Sequence, residues 1–287
     1  MMQVAFQSSP KEFLSKCGPL LEQNPAEHNL ILSLCQTAGQ RLKKGEKVDI
    51  RLTTLFSDND FVIAAVQTPP SNLVLSRADL HQPDIDKLAE TLANQNAEFP
   101  GIIGPSDVAS AFTTAWTGLT GKKFVEFMDQ IVYELTQVVF PPKIAGEFRL
   151  ATPAEAEMIG KWMSSFSKDT LPKAEHMTEE SGLKKAQTLI AANRVAVWAV
   201  GGKPVAIATV GGTDEVARIG SVYTPPEHRG HGYASAVVAH LSQAQLDHGK
   251  KMCCLYADAR NTVSNSIYRK IGYAFVGRSS LYVMDKG

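Results

Sequence analysis

The sequence predicts an α/β protein with a mixed, mostly antiparallel sheet, built as two similar domains spanning residues 1–140 and 146–287. Three observations predict it. The order of elements repeats, each half reading strand, two helices, three strands, helix, strand, helix. In the second half, three apolar runs joined by glycine-containing turns form an antiparallel meander. A helical crossover then follows, and it requires a right-handed connection to a parallel neighbour.

In the first half, residues 2–6 read as a strand and residues 10–21 and 26–42 as helices. Strands at 50–56 and 61–66 flank the polar turn Ser57-Asp58-Asn59-Asp60. Pro69-Pro70-Ser71 breaks the chain before a short strand at 73–75; a helix at 83–94, a strand at 101–103 and a helix at 107–116 follow. The apolar stretch 124–139 leads to Pro141-Pro142, close to the domain boundary. In the second half, residues 148–150 are the first strand. Thr152, Pro153 and Glu155 then form a capping box with proline at the first helical position. Met158, Ile159, Trp162, Met163 and Phe166 give that helix an apolar stripe, read as core packing rather than a substrate pocket. A helix at 179–192 precedes the meander strands 195–200, 205–210 and 215–222; a helix ending at Gly249 and a strand at 252–256 complete the order. An α/β chain of this size can show a repeated order by chance, so duplication stands here as an expectation.

Composition bounds the function. The chain has 287 residues, 29 basic against 29 acidic side chains, and no segregation of charge, so nothing favours nucleic acid or an anionic membrane. No apolar run approaches membrane-spanning length and the N-terminal segment lacks the pattern of a secretory signal, so the expected location is cytoplasmic. Of the four cysteines, Cys17 and Cys35 are isolated, while Cys253 and Cys254 adjoin in a strand and face opposite sides. Buried thiols are expected and no metal site.

The stretch 222–238, VYTPPEHRGHGYASAVV, organises the second half: a strand end, two prolines, a glycine-punctuated loop and a helix. Glycines allow close backbone approach, the first helical N–H groups have no internal partner, and the helix dipole adds positive charge. A phosphate or pyrophosphate is the natural guest. No Gly-Lys-Ser/Thr follows, which excludes a P-loop, and only Gly230 and Gly232 are present, which weakens a dinucleotide fingerprint.

Arg229, Gly232 and Ala234 fit the pattern Arg-x-x-Gly-x-Ala, which resembles the acyl-CoA pyrophosphate loop of the GCN5-related N-acetyltransferase (GNAT) superfamily. Downstream, Asn261, Ser264, Ile267, Tyr268, Gly272 and Tyr273 resemble its Asn-x-x-Ala-x-x-Leu-Tyr-x-x-x-Gly-Phe segment, with Ser, Ile and Tyr replacing Ala, Leu and Phe. The resemblance covers residues 146–286, and it implies two GNAT-like domains, the first degenerate because its counterpart loop, 76–84, has no glycine. It further implies a splayed parallel strand pair at the cofactor site, with acetyl-CoA as co-substrate. Backbone groups of Val222, Tyr223 and Thr224 would meet the pantetheine arm. Those of Gly230, His231, Gly232, Tyr233, Ala234 and Ser235, with the Arg229 side chain, would meet the pyrophosphate, and Asn261 with Ser264 the arm's far side.

The implied reaction is direct acetyl transfer to an amine. An alkylamine of pKa near 10.4 is neutral in fewer than roughly one molecule in a thousand at pH 7, so a base or a desolvated pocket must deprotonate it. Tyr268 is placed by its motif to protonate the leaving thiolate, about 1.5 pKa units uphill in model terms, and main-chain N–H groups near Thr224 could support the oxyanion. Each role has a plainer counterpart. Tyr268 could be a packed aromatic, Asn261 a helix cap, and Arg229 a solvated charge. His228, His231, Glu215 and Asp258 are open candidates for the base, as is water. The acceptor is expected to be a primary amine of a small molecule or amino acid. A protein lysine, a non-catalytic acyl-CoA sensor and a homodimer remain open.

Overall fold

A computed structural model describes residues 2–58 and 60–285; of the predicted turn 57–60, Asn59 lies outside them. Element order follows the expected repeat. The first run is β1 (Met2–Gln7), α1 (Pro10–Leu21), α2 (Asn29–Lys43), β2 (Arg51–Ser57), β3 (Asp60–Gln67), β4 (Leu73–Leu75), α3 (Gln82–Asn94), β5 (Gly101–Pro105), α4 (Ser106–Thr120) and β6 (Phe124–Leu135). The second is β7 (Glu147–Leu150), α5 (Ala156–Thr170), α6 (Glu179–Ala191), β8 (Val195–Val200), β9 (Lys203–Gly212), β10 (Val216–Tyr223), α7 (Tyr233–Asp247), β11 (Met252–Asp258), α8 (Thr262–Ile271) and β12 (Ala274–Met284). Among the described residues strand pairing is mostly antiparallel, with β4–β5 and β10–β11 parallel, a mixed α/β architecture as the sequence predicts.

The chain forms two compact units. Among the described residues, unit 1 takes 2–58, 60–132, 257–260 and 275–285, and unit 2 takes 133–256 and 261–274. In unit 1 the strand order is β1-β2-β3-β4-β5-β12, with β4 and β5 parallel and β12 antiparallel to β5. One face of its sheet buries Phe13, Cys17, Leu21 and Cys35 from α1 and α2 against Leu52, Ala64 and Val66. The other packs α3 and α4, through Ile85, Leu88, Phe112 and Trp116, against Leu55, Ile63 and Ile102. This two-sided burial explains why β3 reads as a continuous apolar run rather than an alternating one.

In unit 2 the order is β7-β8-β9-β10-β11, antiparallel except for the last pair. The predicted capping box forms: Glu155 accepts the Thr152 N–H at 2.7 Å, and Arg149 grips the same carboxylate at 2.6 Å. Ile159 and Met163 of α5 and Ala186 and Ile190 of α6 cover Val195, Val197, Ile207 and Tyr223. Gly160 and Gly182 let α5 and α6 cross closely, since a Cβ on Gly182 would stand 2.4 Å from the Gly160 carbonyl oxygen.

Candidate active site

Two features of unit 2 make a site. The first is a gap in the sheet. β10 pairs with β11 only through Val216–Met252, Ala217–Cys253 and Arg218–Cys254, and beyond that point both strands continue without pairing to each other. On its opposite edge β10 carries a bulge between Gly220 and Tyr223, where Ser221 is held at φ 44°. A non-glycine residue in left-handed backbone is strained, and such strain concentrates at working sites.

The second feature is the start of α7. Its first backbone bond runs from Ala236 N–H to the Gly232 oxygen at 3.0 Å, which leaves the N–H groups of Tyr233, Ala234 and Ser235 without helical partners. No side chain caps them and the first turn carries no acid. Gly230 and Gly232 hold φ of 82° and 79°, and nothing lies within 4 Å of where a Cβ on Gly230 would stand. The loop is therefore open, glycine-shaped and electropositive at its helical end.

The remaining loop residues pack locally. Arg229 Nε donates to the Thr224 carbonyl at 3.0 Å and its guanidinium lies 6.0 Å from the Tyr223 ring centroid. His231 hydrogen-bonds the Arg229 carbonyl through Nδ1 at 2.9 Å and stacks on Tyr233, with centroids 5.4 Å apart. Val222 is half-buried. The Thr224 hydroxyl is buried with no hydrogen-bond partner, a group that costs stability unless something else satisfies it.

Asn261 caps α8, its side-chain oxygen accepting the Ser264 N–H at 3.0 Å, and the Ser264 side chain lies near the Tyr268 phenol. Burial pushes that phenol up to about 12. It lies 6.2 Å from the Tyr133 ring and 6.0 Å from Tyr273. The predicted residues thus fall into two groups, the strand-to-helix stretch 222–235 and the α8 group Asn261, Ser264 and Tyr268, carried on helices α7 and α8 that pack together. Among the suggested bases, Glu215 pairs with Lys251 at 2.7 Å and Asp258 with Arg260 at 2.9 Å.

Other residues near these elements escape the motifs. A cavity of about 570 Å³ beside the loop is lined by Met158, Trp162, Lys203, Glu227, His228 and Tyr233, among others. Of the predicted α5 stripe, Ile159 and Met163 are core while Met158 and Trp162 face this cavity. Tyr133 donates to Asn265 at 3.0 Å; no motif points to it, because it lies at the end of the first run of elements. Among the described residues no cluster of three metal-ligating side chains occurs. No helix among them is long and apolar enough to cross a membrane.

This architecture recurs in solved acetyltransferases of the GNAT family. The chain superposes on a Drosophila protein at TM-score 0.70 (12% identity, 98% of each chain). It matches a GCN5-related N-acetyltransferase from Sphaerobacter thermophilus at 0.59 (17% identity, 98% of this chain, 94% of that one). It also matches a tandem GNAT protein from the clavulanic acid biosynthesis pathway at 0.52 (10% identity, 98% of each). At these identities the likeness is one of fold. Residues 199–283 match the family model described as FR47-like protein. No curated protein matches it in sequence.

Proposed function

We propose that unit 2 transfers an acetyl group from acetyl-CoA to a primary amine of a small molecule or amino acid. The parting of β10 from β11 beyond Arg218 and Cys254 carries this reading. It leaves strand backbone free to bond an extended arm whose diphosphate reaches the uncapped start of α7. Backbone groups of Val222, Tyr223 and Thr224 would hold the arm, with the orphaned Thr224 hydroxyl as a further donor. The N–H groups from Gly230 to Ser235 would hold the diphosphate, with Arg229 beside it. Asn261 and Ser264 would line the arm's other side by way of the α8 start.

In the reaction the neutral amine attacks the thioester carbonyl. A C–N bond forms, the C–S bond breaks, the amine proton leaves to water or a base, and the departing thiolate takes a proton to give CoA. Tyr268 is our choice for that donor. With its phenol near 12 and a thiol near 8.5, transfer is uphill by about 5 kcal/mol. That is well inside the roughly 16 kcal/mol barrier of a reaction turning over about ten times a second.

Unit 1 is the degenerate copy. Its loop 76–84 lacks glycine, Arg77 there is held by Glu27 at 2.6 and 2.7 Å, and α3 carries its own anion, the buried Asp84, in its first turn. Release of free CoA from acetyl-CoA across a panel of amines and amino acids tests the proposal, alongside calorimetry with CoA. Absence of both heat and turnover would overturn it.

A further inference from the structure

β10 carries one charged side chain among apolar and small residues, Arg218, and it stands in the last pair before the strands part. An arm entering from the α7 loop and following β10 back from Thr224 travels about 20 Å to reach it. Arg218 therefore marks the closed end of the gap that such an arm would follow.

Arg218 is not alone there. Its register partner on β9 is Gly211. Measured from where a Cβ on Gly211 would stand, Arg194 Nη2 lies at 2.7 Å and Arg218 Nη2 at 3.9 Å. Two guanidiniums thus converge over one glycine, on the sheet face that also holds Ile207 and the α5–α6 core. Arg194 is tethered by its Nε, which donates to the Val210 carbonyl at 2.7 Å and leaves its terminal nitrogens free of that bond. Among the described residues neither arginine has a carboxylate within ion-pair distance, although twelve other lysine and arginine side chains do. Glu134, whose charge reaches the Cys254 thiol beside Arg218, also stands outside that distance. Arg194 is held below its ordinary range by burial and by Arg218. Arg194 is exposed as a residue and Arg218 is half-buried. Two converging forks with no internal anion match a planar carboxylate.

We infer that Arg194 and Arg218 form the acceptor's anion site, so that the amine acetylated by unit 2 carries a carboxylate. This rests on the acetyltransferase reading and narrows it. The test compares matched pairs, glycine with glycinamide and β-alanine with β-alaninamide, in wild type and Arg218→Gln. Wild type should favour each carboxylate at least tenfold in kcat/KM. Arg218→Gln should lower kcat/KM for the carboxylates about 10- to 100-fold, spare the amides and leave KM for acetyl-CoA unchanged. Amides used as well as the acids, or equal losses for both members of a pair, would overturn the inference while leaving the acetyltransferase reading intact. Should no amine release CoA, calorimetry with N-acetylglycine and N-acetylglycinamide decides the matter separately. Binding of the acid alone, abolished in Arg218→Gln, upholds the anion site, and equal or absent binding refutes it. Ligand-free Arg218→Gln should melt at or above the wild-type temperature because repulsion is relieved, and a lowered Tm would mark the arginine as structural and refute the site.

Discussion

Tyr133 donates its phenolic proton to Asn265 Oδ1 at 3.0 Å, and Asn265 Nδ2 donates in turn to the Asn261 carbonyl at 2.8 Å. Within unit 2 the end of β6 thereby steadies the first turn of α8, the helix that carries Tyr268. Tyr133→Phe removes this donor from a buried amide oxygen. It should cost about 1–3 kcal/mol in urea unfolding and lower kcat more than it changes KM for acetyl-CoA.

Tyr268→Phe keeps the ring and its packing against Tyr133 and Tyr273. Calorimetry should find CoA affinity within a few-fold of wild type, while turnover falls about 100-fold or more. Unchanged turnover would return the phenol to a packing role and leave water as the proton source.

Gly232→Ala forces a side chain onto a residue at φ 79°, where an L-residue costs about 1–2 kcal/mol, although the space is open to within 3.8 Å of Ile144. Stability should fall by that amount. The displaced N–H groups should weaken CoA binding at least tenfold by calorimetry.

Gly182→Ala places a methyl 2.4 Å from the Gly160 carbonyl oxygen, a contact that only helix separation relieves. Chemical denaturation should report a loss of about 2–3 kcal/mol, larger than for an exposed helical glycine, where alanine stabilises.

Burial pushes all four thiols, Cys17, Cys35, Cys253 and Cys254, up to about 12 from 9.0, and raises the Tyr268 and Tyr273 phenols as well. Because these folded values lie above the unfolded ones, the stability they protect is complete below pH 9 and declines as pH rises towards 12. Native protein should give almost no reaction with a thiol reagent at pH 8, and four thiols should appear on unfolding. An alkaline transition should begin between pH 9 and 12.

Much of this was legible in the sequence, because the signals were local. The capping box at Thr152 and Glu155, the meander turns and the glycine loop each depend on residues a few positions apart, and each forms. Asn261, read as either cap or ligand, does cap α8. What stayed hidden depends on distant pairing. Residues 124–139 carry no clean period, yet 124–135 form one strand, because their burial is set by partners far along the chain. Residues 274–284 likewise join the sheet of unit 1, although nothing near them in the sequence names β5 as their neighbour. Arg218 was visible as a charge in an apolar strand, but its convergence with Arg194 needs the register with β9.

Pairing of Ile103 with Leu281 sets the timetable of biosynthesis. A ribosome must deliver residue 281 before unit 1 can finish its sheet, so the body encoded earliest is completed late. Closing so long a loop is slow, and until it closes the nascent chain exposes β5 to intermolecular pairing and to chaperones.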